Sequence, residues 1–206
     1  MNQYEDTRRV GDDSSRRWIR MSGIAASVAG VIFAAVGAAL LTLLNPAEFE
    51  VVGPFGIVAS IVLAAALVPL YASERQWFGR LAKAGFGLLA VGSAVAAVAL
   101  PIADYWIGIA FLAYLAGLLV LFVGAIVYGV AMLRADAPPR TAAWLLIAAL
   151  PIGLPGAIAI MQLTAGEVLD PWGGSMILYG LAWVFLGRHL WTTTERTVAT
   201  PADTGA

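Results

Sequence analysis

Six apolar stretches of about twenty residues run through this chain, joined by short connections. A helix of about twenty residues covers the hydrocarbon core of a bilayer. The connections alternate in charge. Arg8, Arg9, Arg16, Arg17 and Arg20 precede the first stretch, and Arg75, Arg80 and Lys83 lie between the second and third. Arg134 and Arg140 lie between the fourth and fifth, and Arg188 and Arg196 end the sixth. These are all twelve basic residues of the chain. The other three connections carry acids only: Glu48 and Glu50, then Asp104, then Glu167 and Asp170. Basic flanks are retained on the cytoplasmic side, so both termini are expected there. An even number of spans independently demands termini on one side.

The residues are 61% hydrophobic and only 12% charged, more apolar surface than a soluble chain of 206 residues can hide. In lipid every backbone polar group needs an internal partner, so the stretches are expected to be helices. The expected fold is all-α: six transmembrane helices in three hairpins, in the cell (plasma) membrane. Spans are drawn at 21–44, 54–71, 81–100, 105–132, 141–163 and 172–190, within a single domain covering 21–191. Residues 1–20 and 192–206 read as polar cytoplasmic tails, the first disordered as far as Trp18. Asn45-Pro46 should stop the first helix and Pro101 the third. Trp18, Trp77, Trp144 and Trp191 fall at the inner boundaries, and Trp106 and Trp172 at the outer ones, where tryptophan favours the headgroup region.

Absences narrow the chemistry. Without cysteine there are no disulfides, thiolate metal sites or cysteine nucleophiles. A net charge of −1 gives no support for nucleic-acid binding. Lysine appears once against eleven arginines, a bias that suits a prokaryotic source. Ser15-Arg16-Arg17-Trp18-Ile19-Arg20 resembles a twin-arginine export signal, but Arg20 stands where an apolar residue belongs, and a retained first helix is expected.

Small residues recur every seven positions: Gly23, Gly30, Gly37; Gly85, Gly92, Ala99; Ala110, Gly117, Gly124, Ala131; Ala142, Ala149, Gly156; Gly173, Gly180, Gly187. A seven-residue step returns to nearly the same helix face, and small residues there let backbones approach closely. The all-glycine lines of the first and last spans are the candidate helix-packing seam. Composition alone is the competing explanation. Val127–Ala131 and Leu178–Ala182 share the pattern apolar-Tyr-Gly-apolar-Ala, a short internal likeness of the kind hairpin repeats leave.

The strongest local irregularity is Leu150-Pro151-Ile152-Gly153-Leu154-Pro155-Gly156 in the fifth span. Pro151 and Pro155 have no amide hydrogen to give the carbonyls of Ile147 and Pro151. Ile147, Pro151, Gly153, Pro155 and Gly156 are therefore the candidate helix break. It reads either as a packing kink or as a midplane binding site of the kind transporters build from discontinuous helices. Gln162 and Thr164 lie further out on the same helix.

The middle of every span lacks ionisable residues, which argues against proton relays and intramembrane hydrolysis. No catalytic, cofactor-binding or metal-ligating residue is assigned, and no cofactor is expected. His189 reads as a polar interfacial residue, with a lone axial ligand or a pH-sensitive contact as alternatives. The outer acids read as solvated loop ends, or as a negative face that concentrates cations. The expected partners are the lipid bilayer and other membrane subunits or a second copy of the chain. The leading functional expectation is a non-enzymatic structural, accessory or regulatory membrane protein. The alternative is a transporter or channel for a small neutral or weakly polar solute, working through the broken helix.

Overall fold

The computed structural model describes residues 3–42, 46–103, 109–164 and 170–198. Among them the secondary structure is helical throughout: α1 (Gln3–Thr42), α2 (Pro46–Glu74), α3 (Arg80–Ala103), α4 (Ile109–Arg134), α5 (Arg140–Ala148), α6 (Gly153–Thr164) and α7 (Gly173–Val198). A 3-10 turn, Arg75–Trp77, joins α2 to α3. Four of these helices are long and apolar enough to cross a membrane: Arg17–Thr42, Val51–Glu74, Arg80–Ile102 and Ile109–Arg134. The pair α5 and α6, bent by 57°, makes a fifth if taken as one span. Length and composition thus point to a membrane-embedded all-α protein. Helix α7 has 26 residues, but Arg188, His189 and four glycines make it less apolar. Its large side chains turn inward instead: Met176, Tyr179, Trp183, Leu186 and Leu190 are all buried. Val28 and Val31 of α1, Phe55, Val58 and Ile61 of α2, Val91 and Val98 of α3, and Leu112 and Leu119 of α4 face outward. Aliphatic side chains on the outside of every long helix suit a lipid solvent.

Several boundaries differ from those drawn on the sequence. The first helix starts at Gln3, so the N-terminal segment is helical where disorder was expected. No proline interrupts 3–42, and acids stand four residues before arginines at 5/9, 12/16 and 13/17, a spacing that favours helix. Helix α7 likewise runs on to Val198, into the segment drawn as a tail. Pro46 opens α2 as its first residue, where its missing N–H costs nothing, and Pro54 and Pro69 lie within that helix. Pro101 does not stop α3, which continues to Ala103.

The helices pack in a ring. α1 lies on α2, α2 on α3, α3 on α4, α4 on α5, and both α5 and α6 on α7; α7 then closes on α1. The two most extensive contacts are α3 with α4 and α1 with α7. Lipid provides no hydrophobic drive between helices, so close backbone approach and dispersion must hold such pairs. Aromatic rings fill one end of the ring's interior. Tyr71, Trp77, Phe78, Phe86 and Tyr128 form a cluster with centroid separations between 4.8 and 6.0 Å, which ties the α2–α3 turn to α4.

Candidate functional site

The glycine lines of the first and last helices are set against each other, antiparallel. A Cβ added at Gly30 would stand 2.6 Å from the Gly180 carbonyl oxygen, and one at Gly180 would stand 2.5 Å from that of Gly30. Gly23 meets Gly187 at 2.7 Å, and Gly37 meets Gly173 at 2.5 Å in the same sense. The obstacle is backbone in each case, which cannot rotate away. Ser27 adds polar ties, its hydroxyl donating to the carbonyls of Gly23 at 3.0 Å and Val184 at 3.3 Å. A second line joins α3 to α4: Gly85 faces the Tyr128 backbone, Gly92 faces Leu121 and Gly117, and Gly124 faces Leu88 and Leu89. Both lines are used up inside the chain.

The irregularity in the fifth stretch lies at Ala149–Ile152, between α5 and α6. Only Pro151 falls within it. Pro155 is the third residue of α6, in the first turn, where an amide has no intrahelical carbonyl to reach. Bonds of helical spacing persist across the bend: Ile152 N–H to Ala148 at 3.0 Å, Leu154 N–H to Leu150 at 3.2 Å and Gly156 N–H to Ile152 at 2.9 Å. Gly153 is buried against the start of α7, where an added Cβ would stand 2.6 Å from the Ser175 backbone. Pro151, Ile152 and Pro155 face outward, and Gly156 has open space beside it.

A cavity lies elsewhere, inside the ring at the end away from the basic residues. Its volume is about 240 Å³, several times the ~30 Å³ share of one water. Helices α1, α2, α3, α4 and α7 all contribute, and none of Ile147, Pro151, Gly153, Pro155 or Gly156 lines it. The walls are mainly apolar, from Phe33, Val36, Leu63, Leu118, Leu121 and Met176. Ser60, Ser93, Tyr114, Asp170 and Tyr179 supply the polar groups. The Ser60 hydroxyl is spent on the Gly56 carbonyl at 2.7 Å. That of Tyr179, a residue only 2% exposed, is sealed from the hollow, with the Ser93 and Trp183 side chains beside it. Three residues at four-residue spacing on α7, Ser175, Tyr179 and Trp183, carry buried polar atoms, as does Tyr128 of α4.

Asp170 stands where the chain enters α7. Its carboxylate accepts the Trp172 backbone N–H at 2.9 Å, and Trp172 stacks on Phe122 with ring centroids 5.8 Å apart. Burial pushes the Asp170 carboxyl above its ordinary value, and the Trp172 N–H pulls it part of the way back. Tyr114, on the neighbouring α4, is within its electrostatic reach. Glu48, Glu50, Asp104 and Glu167 lie outside the residues whose side chains are described.

At the opposite end, Glu74 joins three elements. It accepts the Trp77 indole N–H and lies 3.3 Å from Nε2 of His189 on α7. Thr193 stands 3.5 Å from the other ring nitrogen. His189 is thus a packing contact between α2 and α7. Among the described residues no group of three His, Asp or Glu is placed to hold a metal ion.

Inside the stretches the polar signal is carried by hydroxyls rather than by ionisable groups. Ser60, Ser93 and Tyr179 interrupt apolar runs, and that is the signal for the cavity. Searched against family models, curated proteins and solved structures, the chain matches none of them.

Proposed function

We propose that this chain is a non-enzymatic multi-pass membrane protein that binds a small solute in the α1–α4/α7 cavity and passes it across the bilayer. The accompanying topology is six spans in three hairpins in the plasma membrane, with α5 and α6 as one broken span, α7 as the last, and both termini cytoplasmic. On that topology the cavity lies in the outer half of the bundle. One observation carries the reading: a roomy, mainly apolar cavity between helices that keeps one half-buried carboxylate in its lining. Buried polar groups normally find partners, and small-molecule sites are apolar hollows with a few such groups converging. The bend between α5 and α6 then has a positioning role, seating Gly153 against the start of α7. An accessory or structural role is less well supported, because the glycine lines that would dock a partner helix are occupied within the chain.

The test is uptake into proteoliposomes over a panel of small solutes, with Gly53→Trp beside the unsubstituted protein. Gly53 lines the cavity, and an added Cβ there meets nothing within 4 Å. A tryptophan is therefore expected to fold and to obstruct the hollow. Uptake of one solute class that Gly53→Trp abolishes supports the reading. Absence of uptake of any solute, or uptake indifferent to this substitution, overturns it.

A further inference from the structure

We infer that the cavity recognises an organic ammonium ion: a protonated amine carried on an apolar body. This rests on the solute-binding reading above and names the class of solute. Three observations converge. First, the half-buried carboxylate of Asp170 lines the hollow, and its one described hydrogen bond is to the Trp172 N–H. Second, the chain brings no cation to that end. All twelve Lys and Arg, and His189, lie at the other ends of the helices, and the undescribed segments 43–45, 104–108 and 165–169 contain none. A buried charge needs a partner, and here it must come from outside the chain. Third, Phe33, Phe111, Tyr114 and Tyr179 put four aromatic rings in the lining. Aromatic faces attract cations and also accept aliphatic groups, the two halves of an alkylammonium.

Other solute classes fit less well. An anion would meet Asp170 with no base to offset the repulsion. A bare divalent metal wants six or more oxygens, and these walls are mostly hydrocarbon. A neutral solute leaves the carboxylate unpaired. The acids of the connections at this end, five without one base, would raise the local concentration of any cation.

The experiment is equilibrium binding to the purified full chain in mild detergent, using three probes of one size: n-pentylammonium, n-pentanol and pentanoate. Pentylammonium should bind at least about tenfold more tightly than pentanol, the scale of a charge-assisted hydrogen bond, and pentanoate should not bind. Asp170→Asn should bring pentylammonium down to the level of pentanol and leave pentanol unchanged, with Asp170→Glu restoring part of the preference. Gly53→Trp should weaken both. Retained pentanol binding by Asp170→Asn shows that the variant is folded. Equal binding of pentylammonium and pentanol, or a preference that survives Asp170→Asn, overturns the ammonium assignment and leaves the cavity as a neutral-solute site. Binding of none of the three probes overturns the assignment together with the solute-binding reading.

Discussion

A single hydrogen atom sets the spacing of α1 and α7. Where a glycine Cα faces a carbonyl oxygen of the partner helix, there is no room for a methyl group, and nothing flexible can yield. Gly30→Leu or Gly180→Leu is therefore expected to cost about 1–3 kcal/mol or more, as for overpacking a tight core. Thermal unfolding in detergent measures this. Gly87 is the internal control: it sits in α3 with nothing within 4 Å of an added Cβ, so Gly87→Ala should be neutral or stabilising by roughly 0.5–1 kcal/mol. Destabilisation equal to that of Gly30→Leu would mean that glycine content, not glycine position, matters. Asp170 supplies a prediction with a sign. Burial raises its carboxyl in the folded state, so the native protein holds that proton to higher pH than the unfolded chain does. Its contribution to stability is fully present below the ordinary carboxylate value and is lost as pH rises through the raised one. Melting temperatures measured from acid to neutral pH should show that slope, and Asp170→Asn should flatten it.

The helices show which features of the sequence carry into structure and which do not. The seven-residue glycine lines are properties of one helix each, so spacing alone reveals them. Which line faces which depends on the other helices, and no local pattern in α1 points to α7. Proline was misleading where it was read as a stop. Pro101 lies within α3, and Pro155, expected to break the fifth span, sits harmlessly in a first turn. Pro151 is the one that falls at the bend, so Pro151→Ala should straighten α5–α6 while Pro155→Ala leaves the bend intact. Distances between spin labels at Thr141 and Gln162 measure this: the first variant should lengthen the distance and the second should not. Glu74 and His189 were unremarkable in sequence because their meeting requires α2 and α7 to end at one level. With both side chains less than a fifth exposed, a double-mutant cycle of Glu74→Gln and His189→Phe should give a coupling of about 1 kcal/mol. A coupling of zero would leave the contact as geometry without energy.

At the scale of the whole molecule the charge asymmetry was the most readable feature and the cavity the least. Twelve basic residues in alternate connections are a pattern along a line, whereas the cavity gathers five helices whose contributions are two to five residues each. The native chain has no cysteine, so topology can be tested without background. Cysteines at Glu48 and Glu167 should react with an impermeant thiol reagent in intact cells, and those at Arg75 and Arg134 should not. The reverse pattern would place the cavity on the cytoplasmic half of the bundle.

The pairing of α1 with α7 has a temporal side. Gly30 and Gly180 are 150 positions apart, so the first helix made must wait for the last. At ordinary rates of synthesis that wait is about 10–30 s. Throughout it the groove on α1 is open to lipid and to any other helix nearby. A newly made chain is therefore exposed to mispairing in a way the finished one is not, above all with another nascent copy offering the same groove. A chain ending at Thr164 should remain in that unfinished condition, sensitive to membrane quality-control proteases, and a separately made segment 170–198 should rescue it by completing the ring. Pulse-chase turnover of the two halves, alone and together, would show whether the last helix is what brings synthesis of this protein to an end.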